Sequence, residues 1–560
     1  MKDWRINLIF VFIILFSATI IGRLIYIQIF KYDYYKALAQ GQQKFFTSLQ
    51  GPRGEIFLKN KGNSLPLAIN KNEKLAYVSP GEIKEKTETA QILSQILNLN
   101  ENLVLEKLNK DSLYELIKNK LTDQEIENLE NLKIPGVYLG EDVFRYYPQQ
   151  ALAAHLAGFL GGNGIGQYGL EGYYDKQLQG ENEFIEGEKG PGGYLFFSPE
   201  NTRGSDLFLT IDYNIQYFSE TLLKEAGEKL NIKSGQIIVL DPNSGKILAL
   251  ADFPSFDPNQ YSKITDFDIF QNNAIQKIFE PGSVFKPITM AAALNEEKIT
   301  PQTTYTDPGI IKIGGYKIYN YEQRIYPGEI SMTEVLEKSI NTGAVFAQGQ
   351  LGKELFLKYI EKFGFFEPTR VDLEGEIFSQ NKEFQKGYEI NFATASFGQG
   401  IEMTPIQLAR AFSAIINGGK LVKPYLVEKI INGEDEIIEI QPEVIKDNVI
   451  SQKTSSQLVA MLVSVVENGF GKKAKIPGYY IAGKTGTAQV PFEDKRGYYQ
   501  DRTVQTFVGF APAFNPQFLI LVKLDNPKTK TAEYSAVPIF HDLAKYIIDY
   551  WQIPPDYEIK

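Results

Sequence analysis

The first thirty residues space their apolar and polar positions differently from the rest of the chain. From Ile6 to Gly22, "INLIFVFIILFSATIIG", no residue is charged, and apolar character resumes after Arg23 through Phe30. A run of about 20 apolar residues suffices to span the hydrocarbon core of a bilayer. Lys2 and Arg5 precede the run, which favours a cytoplasmic N-terminus, while Arg23 and Tyr26 suit the outer interface. No small-residue cleavage site follows. The pattern therefore predicts an uncleaved single-pass anchor over residues 1–32, with the remainder outside the cytoplasm.

Helical periodicity returns in "KEKTETAQILSQILNLNENLVLEKLNK" and in "LTDQEIENLENLKI", where Thr122 and Glu125 have capping-box spacing. The turn-rich "GPRGEIFLKNKGNSLPLAIN" predicts short strands around it. Residues 33–204 thus read as a mixed, non-catalytic region. After Gly204 the texture changes. "SDLFLTID" reads as a strand, and "SGQIIVLDPNSGKILALADF" as two apolar runs joined by a Pro/Gly turn, a β-hairpin. A helix-rich middle leads to three strand-like segments, "YYIAGKTGTAQV", "RTVQTFVGFAPA" and "QFLILVKLDNP", and to the amphipathic "IFHDLAKYIIDYW". Strands at both ends with helices between predict a central antiparallel sheet flanked by helices over residues 205–560. The fold class expected is α+β, multidomain.

Composition removes several kinds of chemistry. At 560 residues the chain exceeds a single ordinary core. A net charge of -10 opposes binding to nucleic acid. The absence of cysteine excludes disulfides, thiolate nucleophiles and cysteine-ligated zinc. Only His155 and His541 are available to a histidine-assisted serine enzyme. His155 lies in a small-residue apolar pattern and reads as packed; His541 has no acidic partner at a telling spacing and reads as structural or exposed. There is no G-x-S-x-G elbow. "GGNGIGQYG" is not placed between a strand and a helix, which speaks against phosphate binding.

One stretch, "FEPGSVFKPITMAAAL", puts two polar residues where an apolar helix should begin. Ser283 and Lys286 are three apart and share a helix face. Ser283 follows a Pro-Gly turn and is expected to start the helix, where Pro287 costs little. A serine hydroxyl needs a base, and lysine can serve if burial and a neighbouring cation depress its pKa. Alone, this pair would be read as a helix cap and a solvated amine. Ser339-Ile340-Asn341 and Lys484-Thr485-Gly486-Thr487 follow in order, the latter on a predicted strand. Together the three motifs form the set known for β-lactamases and penicillin-binding proteins.

With "RGEI", "GLEGYYDKQLQG", "LTID", "VLDPNSGKILALA" and "FGQGIEMTPIQLARAF", the chain resembles a class B penicillin-binding protein, a monofunctional peptidoglycan transpeptidase, over nearly its whole length. The family's R-G-x-I-x-D-R departs here to Leu58 and Lys59, which puts local pedestal contacts in question. The resemblance implies an anchor at 1–32, a pedestal or dimerisation-type domain at 33–204 and a transpeptidase domain at 205–560. It implies Ser283 as nucleophile toward stem peptides ending in D-Ala-D-Ala, Lys286 as base, Ser339 as proton relay and Asn341 as orienting group. Lys484 would supply positive potential, and Thr485 and Thr487 would bind the substrate carboxylate. Gly486 would leave room for a substrate along the strand, and the Ser283 and Thr487 N–H groups would form the oxyanion hole. No metal or other cofactor is implied. β-Lactams, the membrane and a SEDS-type glycosyltransferase are the expected partners, and the bacterial cytoplasmic membrane the location, with a slight lean to the division-type branch. A D,D-carboxypeptidase, a β-lactamase-like hydrolase and a non-catalytic scaffold are the alternatives. The large non-catalytic region disfavours the first two, and retention of Ser283, Lys286 and Lys484 disfavours the last.

Overall fold

A computed structural model describes residues 3–30, 44–112, 114–180, 182–190, 193–196, 203–492 and 497–558. They form two compact units, 1–53 with 179–204, and 54–178 with 205–560. The first contains the helix Asp3–Ile25 and an antiparallel sheet of Lys44–Gln50, Asn182–Gly190 and Gly193–Phe196. Val11 through Phe16 are exposed on the helix, and Thr19 Oγ1 donates back to the Leu15 carbonyl at 2.8 Å. Among the described residues no helix is long and apolar enough to cross a membrane, so the expected anchor is not confirmed as a span.

In the second unit, the two helical stretches expected after residue 83 become three helices. Asn98 is left-handed and ends Lys86–Leu97; the Asn100 side chain then caps Glu101–Leu108. Asparagine suits both positions, because it tolerates the left-handed region and its side-chain oxygen accepts first-turn N–H groups. Thr122 and Glu125 form the expected capping box on Asp123–Leu132. The strand Asn63–Val78 pairs with Ile56–Asn60, Glu115–Lys118 and Val137–Tyr146. Ile56–Asn60 in turn runs parallel to Asp206–Asp212, which pairs with Val427–Ile431. One seven-stranded sheet therefore runs across the boundary expected at 204/205. The departures at Leu58 and Lys59 fall within it: Leu58 is buried, and Lys59 Nζ reaches Glu428 Oε2 at 2.7 Å.

The five-stranded sheet that carries the site is antiparallel throughout. Its order is Ile247–Phe253, Ser234–Leu240, Phe518–Asp525, Tyr498–Ala511, Ala482–Pro491. The strands come from both ends of the 205–560 region, as the pattern predicts. They read as continuous apolar runs because both faces are covered. Ile237, Phe507, Ile520 and Val522 face the helices Tyr213–Leu230 and Ala536–Trp551. Their chain neighbours Ile238, Val508, Leu519 and Leu521 face a helical layer that includes Lys286–Asn295, Pro405–Ile416 and Gln452–Asn468. This two-residue alternation sends successive side chains to opposite cores. The fold thus has mixed α/β content around a central sheet.

Candidate active site

Ser283 lies not in the first α-turn but in the 3-10 turn Gly282–Phe285, and the α-helix begins at Lys286. Gly282 has φ +61, and a Cβ there would lie 2.9 Å from Ala488 Cβ, so the turn requires glycine. Pro287 occupies the helix's first turn, as expected. The tight turn leaves Ser283 partly exposed while Lys286 and its apolar neighbours are buried.

A second polar segment arrives from the capped helix Met332–Glu337. Ser339 follows it with φ +55, a region that residues with a side chain seldom enter, and the next helix starts at Asn341. This conformation turns both oxygens of Ser339 toward one amine: Lys286 Nζ lies 2.6 Å from its carbonyl and 3.2 Å from its Oγ. The same Nζ is 2.9 Å from Ser283 Oγ and 2.9 Å from Asn341 Oδ1. Asn341 Nδ2 donates to the Tyr319 carbonyl at 2.9 Å, which directs its oxygen to the lysine.

The strand Ala482–Pro491 supplies the third segment. Lys484 Nζ donates to Ser339 Oγ at 2.9 Å and to the Thr485 carbonyl at 2.9 Å. Both lysines are fully buried. Burial, and then the charge of Lys484, hold the Lys286 pKa well below its ordinary value. Burial lowers that of Lys484 to about 7. Ser283, Ser339, Asn341, Thr485 and Thr487 line a cavity of about 1220 Å³. All eight residues expected from sequence are thus gathered on adjoining segments. For Gly486 the fold adds a physical reason that the sequence did not supply. A Cβ there would lie 3.0 Å from the Pro281 carbonyl and 3.0 Å from Val284 Cγ1, so glycine lets the strand approach the Ser283 turn.

Sequence reasoning missed the supports. Asp307 accepts from Gly309 N, Thr342 Oγ1, Asn320 Nδ2 and Tyr326 N, and Asn320 Oδ1 accepts from Thr342 N. This buried network holds the start of the Asn341 helix. Gly398 is another support: its carbonyl accepts the Gly282 N–H at 2.9 Å, and a Cβ on it would fall 2.1 Å from the Gly282 carbonyl. "FGQG" carried that signal, though only as part of the family likeness. The histidines stay out of the site. His155 is buried, with Nε2 2.9 Å from the Ile269 carbonyl, and His541 pairs with its neighbour Asp542. Among the described residues no acidic or histidine cluster suited to a metal occurs.

Comparison with known proteins places this geometry. Residues 235–545 match the penicillin binding protein transpeptidase domain, and residues 48–209 the penicillin-binding protein dimerisation domain. Stage V sporulation protein D of Bacillus subtilis is 33% identical over 92% of this chain and 81% of its own length. A peptidoglycan D,D-transpeptidase FtsI homolog of Mesostigma viride is 31% identical over 98% of this chain and 96% of its own. Penicillin binding protein 3 of Mycobacterium tuberculosis, solved in complex with aztreonam, superposes with TM-score 0.70 at 25% identity, covering 92% of this chain and 99% of that one.

Proposed function

The chain belongs to the penicillin binding protein transpeptidase family, and from that premise we propose that it is a serine-type D,D-transpeptidase that crosslinks peptidoglycan stem peptides and is acylated by β-lactams. The observation that carries this reading is the fully buried Lys286 amine, 2.9 Å from Ser283 Oγ and held toward its neutral form. A neutral amine at that distance can take the hydroxyl proton.

In the proposed reaction Ser283 Oγ attacks the carbonyl of the penultimate D-alanine as its proton passes to Lys286. The backbone N–H groups of Ser283 and Thr487 receive the developing oxyanion, an interaction worth about 10²–10³ in rate. The C–N bond to the terminal D-alanine breaks, and Ser339, bonded to both lysines, relays a proton to the leaving amine. An amine from a second stem peptide attacks the ester, and the proton it loses returns through the same groups. The new amide is the crosslink, and Ser283 is regenerated. Lys484, Thr485 and Thr487 hold the substrate's terminal carboxylate, and Asn341 orients Lys286.

The assignment extends to organisation. Residues 33–204 serve as a pedestal and 205–560 as the catalytic domain. The exposed apolar side chains of the helix Asp3–Ile25 support an anchor in the bacterial cytoplasmic membrane, with the catalytic domain outside. A SEDS-type glycosyltransferase would supply the glycan chains. The stretches "FEPGSVFKP" and "AVPIFHDLAKYIIDYWQIPPD" slightly favour the division-type branch over the elongation-type branch.

Intact-protein mass spectrometry with benzylpenicillin tests the reading. A single lasting penicilloyl adduct on Ser283, absent in Ser283→Ala, is expected. Rapid turnover without an adduct would instead indicate a hydrolase. Neither adduct nor turnover from folded protein would leave a scaffold.

A further inference from the structure

Ser283 reaches the cleft on a 3-10 turn ahead of its α-helix, so the helix's hydrogen-bond ladder alone does not fix the depth of its hydroxyl. Glu280 stands immediately before that turn. Its Oε1 accepts the Gly400 N–H at 3.0 Å, and its two oxygens lie 3.3 and 3.1 Å from the Tyr498 hydroxyl. Gly400 belongs to the loop whose Gly398 carbonyl binds Gly282 N–H. Tyr498 opens the strand beside the Lys484 strand, in register with Pro491. A single carboxyl group, two residues from Gly282 along the chain, thus contacts both the Gly400 loop and the first residue of the strand Tyr498–Ala511.

We propose that Glu280 is a positioning residue, tying the Gly400 loop and Tyr498 to the Pro281–Ser283 turn so that Ser283 sits at the depth its attack requires. The inference rests on the acyl-transfer reading above, and Glu280 itself touches no reacting atom. Burial, reinforced by the charge of Glu402, raises the Glu280 pKa to about 7, so the carboxyl is kept there against a desolvation cost. Its contacts do not depend on one protonation state. Either form leaves an oxygen for the Gly400 N–H, and the protonated form can donate to the Tyr498 oxygen.

Glutamine can reproduce both contacts, accepting from Gly400 and donating to the Tyr498 oxygen. Alanine strands both partners. The test follows the rate of benzylpenicillin adduct formation on the full chain over a range of drug concentrations. This separates the limiting acylation rate from the half-saturating concentration. Wild-type adduct on Ser283 establishes the underlying reaction. In Glu280→Ala the limiting rate should fall about 10- to 100-fold, the size of effect that small misplacement of a reacting group produces, with half-saturation nearly unchanged. Glu280→Gln should stay within about threefold of wild type, and Tyr498→Phe should fall less than the alanine variant. The proposal is overturned if Glu280→Ala acylates at the wild-type rate, or if glutamine rescues nothing. It is equally overturned if the alanine effect lies in half-saturation alone. Should Glu280→Ala not fold, a Tyr498→Phe chain with unaltered acylation would overturn it. A folded wild-type chain that forms no adduct would overturn the transpeptidase reading first.

Discussion

Lys286 and Lys484 meet on a single oxygen: Ser339 Oγ lies 3.2 Å from one Nζ and 2.9 Å from the other. Two ammonium groups this deeply buried cannot both be charged without mutual repulsion, and desolvation already disfavours either charge. The arrangement therefore separates their roles, with Lys286 held well below the ordinary lysine value and Lys484 at about 7. Ser339 is the only hydroxyl among the motif residues that touches both amines, which makes it the natural path for a proton between nucleophile and leaving group.

The pH dependence of acylation follows from that separation. The rate should rise with pH as Lys286 loses its proton, then fall above about 7 as Lys484 loses the charge that attracts the substrate carboxylate. The two limbs belong to the coupled pair rather than to either lysine alone. Lys484→Arg keeps its charge at every accessible pH, so its alkaline limb should move upward or vanish. Adduct formation measured from about pH 5 to 9 decides this. A wild-type rate that climbs steadily across that range would refute the assignment. For stability the sign is opposite: Lys484 has a folded pKa below 10.5, so its contribution grows as pH rises from about 7 toward 10.5 and is lost as pH falls.

Base function can be isolated from charge. Lys286→Ala should abolish acylation, and Lys286→Arg should not restore it, because a guanidinium retains its proton. Intact-mass labelling over hours reads the result. Normal labelling of the arginine variant would exclude Lys286 as the base.

Gly486→Ala tests how closely strand and nucleophile turn must pack. The added methyl would lie 3.0 Å from the Pro281 carbonyl and from Val284 Cγ1, so the turn must shift by a few tenths of an ångström. Overpacking of this kind costs about 1–3 kcal/mol of stability. Displacement of Ser283 should cost about tenfold or more in acylation. Unaltered acylation would mean that the turn moves together with the strand.

Outside the cleft lining, Arg145 and Glu171 form a buried ion pair at 2.6 Å, and Arg145 also donates to the Gly54 carbonyl at 2.8 Å. Arg145→Ala removes the cation from a buried ion pair, and should lower unfolding free energy by about 3–5 kcal/mol. The half-exposed Lys59–Glu428 pair offers the contrast: Glu428 keeps Lys246 as a second partner, so Lys59→Ala should cost no more than about 1 kcal/mol. Urea denaturation of both variants measures the difference. Equal effects would show that burial is not what gives the first pair its weight.

Elements whose causes are local were legible along the chain. Continuous apolar runs marked the strands of the five-stranded sheet, the Thr122–Glu125 spacing marked a cap, and Pro281-Gly282 marked the turn before Ser283. The sequence also supplied the order of the three motifs, since a serine and a lysine three apart must share a face when the segment is helical. Other features depend on contacts between distant segments, and no local pattern encodes those. The left-handed conformation of Ser339 is one, held where Lys286 and Lys484 both reach it. The reason for glycine at 486 is another, because the crowding atoms belong to Pro281 and Val284 rather than to its own strand. Glu280 had no visible partner in the chain order, as Gly400 and Tyr498 come beside it only when sheet and loop close around the turn. Local preference decided what each segment becomes. Burial and hydrogen bonding across the fold decided which amine is neutral and what holds the nucleophile.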